Sequence, residues 1–301
     1  MRSRPPARAR IPALLVALLA IASCAGGPPG LRPLVDVVTF TGAGDIAVCG
    51  GAGDDATAAM LDTIPGIIWT TGDNAYPSGS PADFARCYDA SWGRHRERTR
   101  PTPGNHEYWT PNATGYFQYF GAQAGEAGKG WYSYRYGHWL VVALNTNVPA
   151  GRGSEQIRWL DEVLEENPTR CAVAYFHHPL VSSGAHGASA DVFDDADVRP
   201  IWDRLHDAGV DIVLAGHEHH YERFAPLSPR GRPDPDGIRQ FIVGTGGAVL
   251  RGRGERLHPQ SQLLIEGHHG VLRLSLGDGG YAWRFVATDG RVMDSGRDLC
   301  H

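Results

Sequence analysis

The chain has 301 residues, of which 42% are hydrophobic and 20% charged, with 39 Gly and 21 Pro. Such a chain can bury a full core, and its composition excludes intrinsic disorder, coiled coils and long helical solenoids. A formal net charge of -5 leaves no basic footprint for duplex nucleic acid, which is excluded as a partner.

Residues 2–10 carry Arg2, Arg4, Arg8 and Arg10 without an acid, and residues 11–23 form an apolar run ending in small side chains. This is the pattern of a secretory signal peptide, and the run is too short to span roughly 30 Å of hydrocarbon. Ile21-Ala22-Ser23-Cys24 resembles a bacterial lipobox. Cys24 is therefore the expected lipidation site and sole membrane anchor of an extracytoplasmic protein, with cleavage near Ala25 and plain secretion as the alternative. Residues 24–34 are Gly/Pro-rich and read as a tether, and residues 35–301 read as one folded domain. Apart from Cys24, the cysteines are Cys49, Cys87, Cys171 and Cys300. An even number in an exported chain suggests two disulfides. Three pairings are open. Cys49 with Cys87 is favoured because both follow the first motif-bearing strands, and Cys171 with Cys300 would pin the C-terminus to a core strand.

Apolar, β-branched runs at 35–45, 66–73, 171–178 and 211–217, with the segment 99–105, each end in Gly-Asp, Gly-Asn, His-His or Gly-His. Helix-patterned segments lie between them at 54–64, 81–92, 154–167 and 197–209. The third is the clearest, with Ile157, Leu160, Val163 and Leu164 on one stripe and Ser154 as N-cap. Alternating strands are predicted at 131–137, 138–145, 237–244, 270–276 and 281–288. Strand–helix–strand units mixed with hairpins predict an α/β fold of two packed mixed β-sheets flanked by helices, a four-layer α/β/β/α sandwich. The polar strand ends then gather on one rim.

Five short segments carry the chemistry: Gly44-Asp45, Gly72-Asp73-Asn74-Ala75-Tyr76, Gly104-Asn105-His106-Glu107, His177-His178-Pro179 and Gly216-His217-Glu218-His219-His220. Asp, Tyr, Asn and His together suit hard-to-borderline metal ions. In this order the segments resemble the calcineurin-like metallophosphoesterases, and within them the purple acid phosphatases and their bacterial relatives, over roughly residues 37 to 295. The first motif lacks the histidine usual in the wider superfamily, and Tyr76 stands in for it. By this resemblance Asp45, Asp73, Tyr76 and His219 hold one metal. Asp73 bridges to a second, completed by Asn105, His177 and His217. His177 is chosen over His178 because it precedes Pro179 by two. Ala47 replaces a family glycine without removing a ligand.

The resemblance implies two metal ions, Fe(III) with a divalent Fe, Zn or Mn. Asp45, Asp73, a phenolate and a hydroxide against such a pair leave the site near +1, which attracts phosphate. It implies an acid phosphatase-like hydrolase of small phosphate monoesters, working by direct attack of a metal-bound hydroxide. His106 and His186 are the expected outer-sphere catalytic histidines. Glu107 and Glu222 are expected to orient histidines, with His178 and His220 lining the pocket. A phosphodiesterase using the same metals is the alternative, and the loops at 108–130 and 182–198 decide between them. A non-catalytic surface-binding lipoprotein is the reading from another class, disfavoured because no ligand position is lost. Oligomeric state is not readable.

Overall fold

The computed structural model describes Met1 and residues 33–186 and 198–301. The expected signal peptide beyond Met1, Cys24 and nearly all of the tether lie outside these residues.

One sheet has the order β13-β12-β11-β1-β2-β3. Its strands β1 (Val38–Ala43), β2 (Ile67–Thr71) and β3 (Thr99–Thr102) run parallel, with β3 at the edge. Against β1 lies the antiparallel meander of β11 (Gly270–Gly277), β12 (Gly280–Ala287) and β13 (Val292–Leu299). The second sheet has the order β10-β8-β9-β7-β6-β5-β4. Within it β5 (Trp139–Ala143), β6 (Cys171–Tyr175), β7 (Ile212–Ala215) and β9 (Ile238–Val243) run parallel. The antiparallel strand β4 (Tyr132–Tyr136) lies on one flank, and β8 (Tyr221–Leu227) with β10 (Ser261–Ile265) on the other.

Strand alternation sorts the core into two layers. Leu140, Val142, Ala172 and Ala174 pack with Ile157 and Leu160 of one helix and Ile201, Trp202 and Leu205 of another. The opposite face, with Val141, Ala143, Val173 and Tyr175, packs with Phe40 between the sheets, where the Phe40 and Tyr175 rings are 6.0 Å apart. Trp139 Nε1 donates to Gly277 O across that interface at 2.9 Å. The helices are α1 (Gly53–Leu61), α2 (Pro81–Asp83), α3 (Thr114–Phe120), α4 (Glu155–Glu166) and α5 (Arg199–Asp207). In α4 the Ser154 side chain accepts from Ile157 N, capping the helix where the sequence places its cap.

The four-layer expectation holds. The single helix predicted over 81–92 is corrected: α2 is one turn, followed by a widened π-turn over Phe84–Tyr88 and a 3-10 stretch over Trp92–Arg98. Burial of Phe84, Cys87, Tyr88 and Trp92 against the first sheet, with Cys87 tied covalently to Cys49, overrides the simple helical period. Both disulfides of the favoured pairing are present, Cys49–Cys87 and Cys171–Cys300.

Candidate metal centre

The carboxyl ends of β1, β2, β3, β6 and β7 meet at one place, where backbone hydrogen bonds lock their turns. Asp45 N donates to Gly72 O at 3.0 Å, Ile46 N to Asp73 O at 2.8 Å and Ala47 N to Asn74 O at 3.0 Å. The second sheet joins in: Gly44 N donates to Val243 O at 2.8 Å, Ala248 N to Asp45 O at 2.9 Å and Gly216 N to His177 O at 2.9 Å. Asp45, Asp73 and His217 hold left-handed φ values of 58°, 49° and 69°. Such conformations cost about 1–3 kcal/mol each and persist where the surroundings over-determine them, as at functional sites.

Two donor clusters result. In the first, the Tyr76 hydroxyl lies 3.2 Å from Asp45 Oδ1, 3.0 Å from Asp73 Oδ2 and 3.2 Å from His219 Nε2. His219 Nε2 is 3.3 Å from Asp45 Oδ1. In the second, Asn105 Oδ1 lies 2.8 Å from His177 Nε2 and 3.2 Å from His217 Nδ1, and those nitrogens are 3.3 Å apart. Asp73 Oδ2 is 3.6 Å from His177 Nε2 and so borders both clusters. Gly104 allows this approach, because a Cβ there would overlap Asp73 Oδ1.

The ring nitrogens facing away identify what the clusters are built to take. His177 Nδ1 lies 2.7 Å from Thr71 O, and His219 Nδ1 lies 2.6 Å from Val249 O. A carbonyl only accepts, so each Nδ1 carries a proton and, in the neutral ring, each Nε2 turns a lone pair inward. Lone pairs of imidazole, amide oxygen and carboxylate at 2.8–3.6 Å repel one another unless a cation lies among them. The residues therefore fit metal ions. Ligand atoms of Asp45, Asp73 and His177, and of His177, His178 and His217, lie within 4.8 Å of one another. A third group, Cys171, Asp211 and Cys300, is excluded because its sulfurs form a disulfide.

Electrostatics agree. Burial pushes the Tyr76 phenol well above its ordinary pKa, and the Asp73 and Asp45 charges push it further. Burial and the neighbouring imidazoles of His177, His178, His186 and His219 hold His217 well below the ordinary histidine range. Burial opposes charge on Asp45, yet His219, His177 and Tyr76 together hold its carboxyl below the usual range.

The other expected residues divide. His106 flanks the first cluster: its Nε2 is 3.8 Å from Asp73 Oδ2, its Nδ1 is 2.6 Å from Pro77 O, and its ring contacts Tyr76 and Trp109. His186 flanks the second, its ring centroid 4.9 Å from that of His217. His178 turns Nδ1 to Thr146 Oγ1 at 2.7 Å, and its ring is 4.7 Å from that of His217. Glu222 Oε2 is 3.3 Å from His220 Nε2. Glu107 departs from expectation, with no histidine among its hydrogen-bond partners in the described residues. Fully buried, it accepts from Asn74 N at 2.8 Å, Ala75 N at 3.2 Å and Gly104 N at 2.7 Å. It thus ties the β2 and β3 turns together by accepting from three of their backbone amides, which burial would otherwise leave at a cost. Burial and the Asp73 charge raise its pKa to about 8. Sequence reasoning missed Glu218, a fully buried acid between His217 and His219. A charge inside a run of ligands was its only signal.

Two donor pockets sharing a carboxylate, at the joined strand ends of a double-sheet sandwich, define a dinuclear metal-binding scaffold. The chain belongs to the calcineurin-like phosphoesterase family, whose model matches residues 38–221. It is similar to purple acid phosphatase 15 of Arabidopsis thaliana, 27% identical over 247 residues, covering 68% of this chain and 45% of that protein. The chain spans about half the length of the curated relatives it matches. In fold it is similar to the purple acid phosphatase PPD1 from yellow lupin seeds, with a TM-score of 0.71, 18% identity, and coverage of 87% of this chain and 54% of that one. It is also similar to GAP50, described as the anchor in the inner membrane complex of Plasmodium, with a TM-score of 0.69, 16% identity, and coverage of 88% and 89%.

Proposed function

We propose that the protein is an exported phosphatase that hydrolyses small phosphate monoesters at a dinuclear metal centre. Asp45, Asp73, Tyr76 and His219 hold one ion, and Asp73, Asn105, His177 and His217 the other. The observation that carries this reading is the pair of inward-facing donor clusters bordering the same Asp73 oxygen. Bound there, a trivalent and a divalent ion supply Lewis acidity to the phosphoryl oxygens and lower the pKa of a coordinated water. The preference for Fe(III) beside Fe, Zn or Mn rests on Tyr76, whose raised pKa demands a strongly charged neighbour before the phenol ionises. Similarity to purple acid phosphatases supports the same reading.

The protein's own groups account for the rest. The Thr71 and Val249 carbonyls fix the tautomers of His177 and His219, so their rings are oriented before any substrate arrives. The Pro77 carbonyl fixes His106 with Nε2 beside the shared carboxylate, where it can give a proton to the leaving oxygen. His186 faces the same space from the His217 side. Two disulfides suit an oxidising compartment. The arginine-rich leader with its apolar run directs the chain there, with Cys24 as the lipid anchor.

Metal analysis with a visible spectrum, before exposure to chelator, tests the proposal. The expected result is two metals per chain and a phenolate-to-iron charge-transfer band that Tyr76→Phe removes, with phosphate release from p-nitrophenyl phosphate abolished in Asp73→Ala. Two metals without the band would remove iron while keeping the centre. Faster turnover of bis-p-nitrophenyl phosphate than of the monoester would move the substrate to diesters. Unchanged turnover in Asp73→Ala would refute the site.

A further inference from the structure

Glu218 is fully buried, and neither of its carboxylate oxygens has a hydrogen-bond partner among the described residues. Burying such a group without compensation is costly, so its presence between His217 and His219 calls for a function. It faces His186, whose Nδ1 lies 3.3 Å from Oε2. The segment carrying His186 is shaped to reach it. Gly184 lies so close that a Cβ would overlap Glu218 Oε2. Ser183 is pinned on three sides: its N donates to Glu222 Oε2 at 3.0 Å, its carbonyl accepts from Gly254 N at 2.8 Å, and its hydroxyl accepts from His258 N at 2.8 Å. On the other edge of the His186 ring, Arg251 Nη1 contacts Nε2, and Arg251 N donates to His219 O at 3.0 Å.

We infer that Glu218 is a positioning residue that holds the His186 imidazole over the His217 side of the centre, with Arg251 as its second clamp. This rests on the reading above, in which His186 serves phosphate-ester hydrolysis. With Glu218 facing one nitrogen and Arg251 the other, the ring has one favoured orientation, although it sits on a connecting loop rather than on a strand. Outer partners of this kind typically change activity by about 10–100-fold. Gly184 is the steric counterpart of the contact, because any larger residue would lift His186 off the carboxylate.

The test is a double-mutant cycle read as kcat/KM on an alkyl phosphate, with metal content measured for every variant. Glu218→Leu removes the acceptor, and Glu218→Gln keeps a carbonyl oxygen for the imidazole N–H. We expect Glu218→Leu to lose about 10–100-fold, Glu218→Gln to recover most of that, and Glu218→Leu to cost nothing further once His186→Ala is present. Two metals per chain should remain throughout. Equal losses from Glu218→Leu with and without His186 would overturn the inference, as would wild-type activity of Glu218→Leu. A His186→Ala enzyme with wild-type activity would instead overturn the reading of His186 itself. Should Glu218→Leu fail to fold or load metal, Gly184→Ala separates the same contact without touching the ligand run, and full activity there overturns the inference.

Discussion

Replacing His106 by alanine gives the sharpest test of how the proposed centre divides its work. The imidazole is fixed by its Nδ1 contact to Pro77 O at 2.6 Å and by ring contacts of 4.5 Å to Tyr76 and 4.0 Å to Trp109. Its orientation is therefore set before substrate binds. With Nε2 3.8 Å from Asp73 Oδ2, an oxygen held against the shared carboxylate comes within hydrogen-bond reach. A positioned acid of this kind contributes about 10²–10⁴-fold, whereas a mere hydrogen bond to a charged group contributes about 1.5–3 kcal/mol, roughly 10–150-fold. The leaving group separates the two cases. An alkoxide needs the proton, and nitrophenolate leaves without it. His106→Ala should therefore lower kcat by about 10²–10⁴ for alkyl phosphates but by no more than about 10-fold for p-nitrophenyl phosphate. The assay is kcat across a graded series of alkyl and aryl phosphates at fixed metal content. A uniform loss across the series would refute proton donation by His106 and leave it a packing residue between Tyr76 and Trp109.

Two further outcomes follow from the same geometry. In metal-free protein the Glu107 pKa, about 8 against an ordinary 4.5, makes the folded state bind its proton more tightly than the unfolded state. Its contribution is therefore full below about pH 4.5 and is lost as pH climbs through about 8. Urea midpoints of the metal-free wild type should fall across that window while those of Glu107→Gln stay flatter, and parallel profiles would count against the assignment. The disulfides should separate stability from activity. Cys171–Cys300 closes a 129-residue separation, worth about 5 kcal/mol in chain entropy. It sits at the opposite end of β6 from His177, so Cys171→Ser/Cys300→Ser should lower the melting temperature and spare kcat. Cys49–Cys87 lies beside the ligand turns, with Cys87 Sγ 3.9 Å from Tyr76 O, and its removal should reduce turnover and metal content. Equal effects of the two double mutants on kcat would contradict this division.

The motif-bearing turns were legible in the sequence because most of them follow an apolar strand and end in a polar residue, the turn after Thr99–Thr102 being the exception. The strands that close the sheets were not. β8 begins inside the histidine-rich run, where polar residues mask its period. β13 reads as polar because it is an edge strand in which Asp294 alone is buried. What holds Asp294 is remote: the Tyr221 hydroxyl at 2.7 Å, Arg223 Nε at 2.7 Å and Trp283 Nε1 at 3.0 Å. Local patterning carries no trace of such partners. Glu107 illustrates the same limit within the site. Its place in the motif was visible, but its partners are backbone amides that only the packed turns bring together. Glu218 shows the same limit, because nothing in its place inside the histidine run announces that it is fully buried.

The Asp45 turn stands early in the chain yet is braced by residues that emerge late. β1 pairs with β11 through Val38 and Leu276, and the turn itself leans on Val243, Gly246 and Ala248. Contacts of such sequence separation form late, because long loops must close first. During synthesis the proposed metal pockets are therefore incomplete until the last third of the polypeptide has arrived. A chain that crosses a membrane before folding would then meet its ions on the far side, and the choice of metal would be made by the compartment of folding rather than by the compartment of translation.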